Sequence, residues 1–233
     1  MKAIAIMQPY FLPYLGYFQL LAGVDKFVVL DDVNYINGGW INRNRLLLNG
    51  KPFTFTIPLS RASQNRLICD IELVREQNWR NKLIRTIHQA YCQAPCYEKV
   101  VVLINRLVNY PSVKIDEFLL NSLREIVQYL SLEVEIVDSS RVYNNAHLKG
   151  EERILDICRQ EQADVYINTI GGIDLYDRNR FLNDGIQLYF MRPRPVNYPQ
   201  GQSEHVSWLS ILDVLMFNAP PAVRQLLAEM DLV

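Results

Sequence analysis

Two hydrophobic periods alternate within the first thirty residues. Ala3 to Met7 is a short apolar run ended by Gln8-Pro9. Tyr14 to Ala22 carries its apolar residues at helical spacing, and Phe27-Val28-Val29-Leu30 is again a continuous apolar run. That order predicts a strand, a helix and a second strand. The theme returns in the second half: Glu133 to Val137 as a strand, Glu151 to Gln160 as a helix with Ile154, Leu155 and Cys158 inward, and Ala163 to Asn168 as another strand. Strands that alternate with helices define an α/β fold, a mostly parallel Rossmann-like doubly wound sheet.

Between these halves the pattern changes twice. Phe53 to Leu59 and Leu67 to Val74 alternate polar and apolar residues and predict strands. From Asn78 to Leu130 the period is helical: Trp79, Leu83, Ile87 and Tyr91 share one face, Val100, Leu103, Ile104 and Leu107 another, and a third helix covers about Lys114 to Leu130. Residues 78–131 therefore read as a helical cap or flanking layer within one α/β domain spanning 1–233. Gly171-Gly172 breaks the second α/β stretch, a short helix is expected over Leu175 to Leu182, and Ile186 to Phe190 is a last strand before helices at Val206 to Phe217 and Pro221 to Glu229.

Composition removes several classes of function. With 24 basic and 25 acidic residues and a net charge of -1, no global field favours DNA or an anionic membrane. No apolar run approaches the roughly 18 to 20 residues that span a bilayer, and the opening MKAIAIMQPYF, without an apolar run of adequate length, leads one to expect no signal segment. A cytoplasmic protein with four reduced cysteines is the expectation. Those cysteines form no CxxC pair, so no metal site is expected. GxSxG, GxxxxGK[ST] and HExxH are absent, and the three histidines offer no triad: His88 reads as partly buried, His147 and His205 as solvated.

Two N-terminal segments concentrate the chemistry. Gln8-Pro9-Tyr10-Phe11-Leu12-Pro13-Tyr14-Leu15-Gly16-Tyr17-Phe18 leaves the first strand and enters a helix, the turn at which ligands bind in open α/β sheets. Gly16 within a helical run costs about 1 kcal/mol against alanine, which points to a close approach by backbone or ligand. Pro13, Tyr14, Gly16 and Tyr17 are spaced as in nucleotidyltransferases of the HIGH class, without the histidines. The second segment, Asp31-Asp32-Val33-Asn34-Tyr35 through Gly38-Gly39-Trp40-Ile41-Asn42-Arg43-Asn44-Arg45, follows the second strand. One of Asp31 and Asp32 should face the site if the chain is extended there. It could serve as a general base, bind an amine or hold Mg²⁺. Arg43 and Arg45, two apart, can present forks to a phosphate or carboxylate from one strand face. From the C-terminal half, Gly171-Gly172 with Tyr176, and Tyr198 with Gln200, are expected to complete the pocket.

The QPYFLPYLGYF and DDVNYINGGWINRNR segments, with the later GGIDLY, NYPQ and LSILD pieces, resemble the WbqC-like family over nearly the whole chain. The residues carried by that resemblance are Gln8, Pro9, Tyr10, Pro13, Gly16 and Tyr17, then Asp31, Asp32, Trp40, Asn42, Arg43, Asn44 and Arg45. The family usually has Trp where Tyr14 stands and Gln where Asn34 stands. The resemblance implies a place in O-antigen or surface-polysaccharide biosynthesis and the transfer of glycine or another amino acid onto sugars.

These readings give a transferase that attaches a small amino acid or acyl group to the amine of a nucleotide-linked amino sugar. Asp31, Asp32 and Tyr17 are its candidate catalytic groups, and Tyr10, Tyr17 and Trp40 are candidates to stack on sugar or base. The cofactor is open, ATP with Mg²⁺ being one source of activation, and a homo-oligomer is compatible. The alternatives are an ATP- and Mg²⁺-dependent nucleotidyl or adenylyl transferase and a non-catalytic sugar-nucleotide binding protein.

Overall fold

A computed structural model describes residues 1–201 and 204–233. Its centre is a six-stranded sheet built from β1 (Ala3–Met7), β2 (Lys26–Val29), β7 (Glu135–Val137), β8 (Val165–Thr169), β9 (Gln187–Pro193) and β10 (Met230–Leu232). The spatial order is β10-β9-β8-β1-β2-β7. Every neighbouring pair is parallel except β9 with β10. From β1 the chain moves outward to β2 and β7, then returns to lay β8 on the other side of β1. A reversal of that kind opens a crevice at the carboxyl ends of the two central strands, here beyond Met7 and Thr169.

Both faces of the sheet are covered, as strands that alternate apolar side chains to two sides require. Ile4, Ile6 and Val28 pack with Ile154, Leu155, Ile157 and Phe181, from α5 (Gly150–Gln160) and α6 (Arg178–Asn183). Ala5, Phe27 and Val29 face the larger core. That core is closed by α1 (Leu15–Ala22), the helices α2 (Asn78–Tyr91), α3 (Tyr97–Val108) and α4 (Ile115–Leu130), and the C-terminal pair α7 (Ile211–Phe217) and α8 (Pro220–Leu227). Among the described residues, no helix is long and apolar enough to cross a membrane.

Several elements differ from their sequence patterns. Phe53 to Leu59 divides between β4 (Lys51–Thr56), which pairs antiparallel with β3 (Arg43–Leu48), and the two-residue β5 (Leu59–Ser60). Leu67 to Val74 is a 3-10 turn at Ile68–Asp70 followed by β6 (Glu72–Leu73), paired with β5. The helix expected over Leu175 to Leu182 is a 3-10 stretch at Ile170–Leu175 and then α6, which starts only after Asp177 accepts a hydrogen bond from the amide of Asn179. The helix expected from Val206 starts at Ile211, because Ser210 caps it by accepting from the amide of Leu212.

Candidate functional site

The turn that leaves β1 is held in a conformation that its sequence alone would not favour. Leu12 is buried with φ of 46°, a left-handed backbone that carries a steric cost for a γ-branched side chain. Its carbonyl accepts two buried hydrogen bonds, from Asn44 Nδ2 at 2.6 Å and Ser210 Oγ at 2.7 Å. The amide of Phe11 donates to the Ile41 carbonyl, that of Ser210 to the Arg45 carbonyl and that of Ile211 to the Pro13 carbonyl. The β1–α1 turn, strand β3 and the segment before α7 are thereby joined into one frame.

That frame encloses a cavity of about 390 Å³ at the sheet's reversal point. The strand ends Met7 and Thr169 form its floor, and Tyr10, Pro13, Tyr14 and Tyr17 come from the β1–α1 turn and α1. Trp40, Asn44 and Arg45 come from β3 and the loop before it, and Trp208 from the segment before α7. The rings of Tyr10 and Tyr17 lie 5.5 Å apart. Burial raises the pKa of Tyr10, Tyr14 and Tyr17, that of Tyr17 the most, so their hydroxyls stay neutral and act as hydrogen-bonding groups. The hydroxyl of Tyr17 already donates to the Gln8 carbonyl at 2.8 Å.

Arg43 and Arg45 do project from one face of β3. Their guanidinium carbons stand 5.2 and 5.6 Å from the centre of the Trp40 ring, close enough for cation–π attraction. Arg43 is spent locally, since Nε donates to the Gly39 carbonyl at 2.8 Å and Nη2 to that of Gly38. Arg45 donates from Nη2 to the Trp208 carbonyl at 3.1 Å, while its Nε is buried with no partner among the described residues. A guanidinium N–H left in this state is an unfilled demand for an acceptor.

Asp31 and Asp32 stand elsewhere, and both are buried. Asp31 accepts from Ser139 Oγ at 2.7 Å and the Ser140 amide at 3.2 Å, and lies 3.0 Å from Arg141 Nη2. The same Nη2 reaches Asp116 of α4 at 3.1 Å. Asp32 accepts two hydrogen bonds from Arg153 Nη2, at 2.6 and 2.7 Å, and one from Ser140 Oγ. Strand β2 is thus tied to the 3-10 turn Ser140–Tyr143, to α4 and to α5, and neither carboxylate lines the cavity.

Of the other sequence candidates, Pro9 is buried beside the turn. Asn42 is consumed by the Tyr35 hydroxyl and the Ile57 carbonyl. Gly171 is exposed, Gly172 is buried beneath Asn168, and Tyr176 packs edge-on against Tyr166 and Phe181. None of these lines the cavity, whereas Thr169, just before the glycine pair, does.

Gly16 and Tyr198 line a second cavity, of about 290 Å³, which shares Tyr14 and Trp208 with the first. A Cβ on Gly16 would stand 2.3 Å from the Tyr14 ring, so the close approach that glycine permits is made by a side chain two residues away. Beneath this cavity Asp213 is fully buried, and its hydrogen bonds among the described residues come from tyrosine and glutamine side chains. Tyr91, Tyr198 and Gln200 donate to it at 2.8, 2.8 and 2.9 Å. Burial raises its pKa above the ordinary carboxylate value despite those bonds.

Several residues stand differently from their sequence reading or lay outside it. Met7 and Thr169 could have been found as the last residues of the two strands that flank the reversal. Trp208 sits at φ of 62° in an irregular segment and carries no such signal. His205, expected to be solvated, lines the second cavity with its Nε2 buried. His88 is exposed rather than partly buried and bonds Tyr97 through Nδ1 at 2.8 Å.

A mostly parallel sheet with helices on both faces and a reversal of strand order at its centre defines a Rossmann-like α/β protein. The chain belongs to the WbqC-like protein family, whose model matches residues 8–225. It is also 27% identical over 225 residues to an uncharacterized protein of Mycobacterium tuberculosis, Rv1507c, covering 94% of each chain. No solved structure matches it.

Proposed function

We propose that the chain is a transferase that joins a glycine-like amino acid, or another acyl group, to the amine of a nucleotide-linked amino sugar in surface-polysaccharide biosynthesis. The observation that carries this reading is the cavity at the sheet reversal, which combines aromatic walls with Arg45, whose Nε lacks an acceptor. Rings such as Tyr10, Tyr17 and Trp40 suit the flat faces of a base or the apolar face of a sugar. A guanidinium beside them suits a diphosphate. In the reaction the sugar amine forms an amide bond with the carbonyl carbon of an activated acyl donor, such as an ester, thioester or acyl phosphate. The activating group leaves with the bonding electrons, and the amine gives up one proton.

The rival reading, a non-catalytic sugar-nucleotide binding protein, is favoured by one observation: Asp31 and Asp32 are turned to arginine and serine partners away from the cavity, and among the described residues that line it there is no carboxylate to act as a base. Calorimetric titration with a uridine diphosphate amino sugar should show saturable binding that Arg45→Ala weakens at least tenfold. Incubation with the same sugar and an activated glycine should give a product heavier by one glycyl residue. Binding without product would establish the rival. Pyrophosphate release with ATP and Mg²⁺ would establish nucleotidyl transfer instead, and the absence of any binding would overturn both sugar-nucleotide readings.

A further inference from the structure

Among the described residues, two buried polar atoms of the residues lining the second cavity have no hydrogen-bond partner. Gln19, on α1, is fully buried and lines it. Its Nε2 donates to the Leu226 carbonyl at 3.1 Å and the Glu229 carbonyl at 2.8 Å, so both amide hydrogens are used and the amide orientation is fixed. What remains is Oε1, buried and without a partner. On the same cavity wall His205 Nε2 is also buried and unpartnered, with the imidazole packed edge-on to Tyr198 at 5.0 Å. A buried polar atom without a partner is costly and calls for a physical explanation, and two among the residues lining one cavity point to an occupant that supplies the missing bonds.

The rest of the wall limits what that ligand can be. Pro193, Val196, Leu209 and Val214 are apolar. Arg194, charged among the described lining residues, is turned to Asp231, to which its Nε donates at 2.9 Å. Asp213 lies below the surface, held by its tyrosines and Gln200. The occupant therefore needs no charge. It needs an N–H or O–H for Gln19 Oε1, a group to meet His205 Nε2 and a small apolar body.

We infer that this cavity is a second ligand site, for a small uncharged molecule whose amide or hydroxyl head binds Gln19 and His205. Its relation to the first cavity gives it a role: Tyr14 and Trp208, with rings 5.6 Å apart, are walls of both. Two ligands seated together would meet across that pair. Assignment of the second site to the acyl co-substrate rests on the transferase reading, while the existence of the site does not.

The probe is 3-methylbutanamide, compared with methyl 3-methylbutanoate, which keeps the apolar body and lacks the N–H. Nuclear magnetic resonance of the full chain should show saturable shifts of the His205 ring and the Trp208 indole with the amide. Affinity for the amide should exceed that for the ester at least tenfold, and His205→Phe should reduce it about tenfold. Equal affinity for amide and ester would overturn the inference, as would amide affinity unchanged in His205→Phe or an absence of saturable shifts, the behaviour of a cavity that holds only water. The amide–ester comparison needs no variant, so a poorly folding His205→Phe leaves the test intact. With the uridine diphosphate amino sugar at saturation, amide affinity should persist, and competition between the two would overturn the two-site arrangement. If the sugar nucleotide fails to bind while the amide binds, the transferase reading fails and the second site stands.

Discussion

Arg153 Nη2 donates to both carboxylate oxygens of Asp32, at 2.6 and 2.7 Å, with both side chains buried. Arg153 Nε continues to Asn145 Oδ1 at 3.0 Å, and Asn145 Nδ2 to Asp156 at 2.7 Å. The end of β2 is therefore bolted to α5. Breaking a buried pair by removing one partner strands the other charge, at a cost of about 3–5 kcal/mol. Arg153→Leu should lower the unfolding free energy by about that amount in urea titrations, and the double variant Asp32→Leu with Arg153→Leu should recover much of it. A double variant as unstable as the single one would contradict this account.

Glu161 gives the molecule an acid-sensitive lock. Burial would raise its pKa, but hydrogen bonds from Lys26, Tyr143 and Lys2 outweigh that and hold it at about 2, against an ordinary 4.5. A carboxylate depressed by folding adds stability that is complete above its unfolded value and is lost as pH falls through the folded one. Wild-type stability should thus decline from about pH 4.5 towards pH 2. In Glu161→Gln that part of the decline should be missing, which urea midpoints measured at intervals across this range can establish.

Arg45 should be dispensable for folding and needed for binding. It contributes one hydrogen bond, to the Trp208 carbonyl, while its Nε has no partner. Arg45→Ala should change stability by no more than about 1 kcal/mol. A charged hydrogen bond to a ligand is worth about 1.5–3 kcal/mol, so the same variant should lose tenfold or more in affinity for a diphosphate ligand. Arg45→Lys should recover only part of it, because an ammonium lacks the guanidinium fork.

Gly16→Ala separates the shape of the site from its stability. The new Cβ would stand 2.3 Å from the Tyr14 ring and 3.2 Å from Pro193 Cγ, so the ring must shift to admit it. The ring is a wall of both cavities, so its displacement should alter Trp208 fluorescence and weaken ligands of either site. Stability should move by less than about 1 kcal/mol, since alanine is intrinsically the better helix former.

The strand–helix–strand order of the first thirty residues and the parallel sheet were legible because β1, β2 and β8 are buried on both faces and are apolar over most of their length. That Tyr10, Pro13 and Tyr17 line the cavity follows from their place in the turn after β1, whereas Trp40, Asn44 and Arg45 reach it from β3 and the loop before it, outside the parallel sheet. The roles of Asp31 and Asp32 were not legible. A strand-end acid looks the same in sequence whether it faces solvent or a buried arginine, and Arg153 is 121 residues from Asp32. His205 and Trp208 were hidden likewise, because their irregular segment has no period to read and its position is set by contacts such as the pairing of Tyr14 with Ser210.

The Leu12 carbonyl offers the sharpest test of the frame that carries the site. Asn44 Nδ2 and Ser210 Oγ both bond it, and Asn44 Oδ1 also accepts from the Arg45 amide at 2.8 Å. Removing either donor leaves the carbonyl one bond, so Ser210→Ala should cost about 1 kcal/mol, together with a helix cap worth about as much. Asn44→Ala also exposes the Arg45 amide and should cost about 2–3 kcal/mol. When both are removed, the strained Leu12 conformation loses its two side-chain supports and the carbonyl is stranded, so the double variant should lose more than the sum of the singles. Urea titration of the four proteins measures this coupling. Additive losses would show that the turn keeps its left-handed geometry by packing alone.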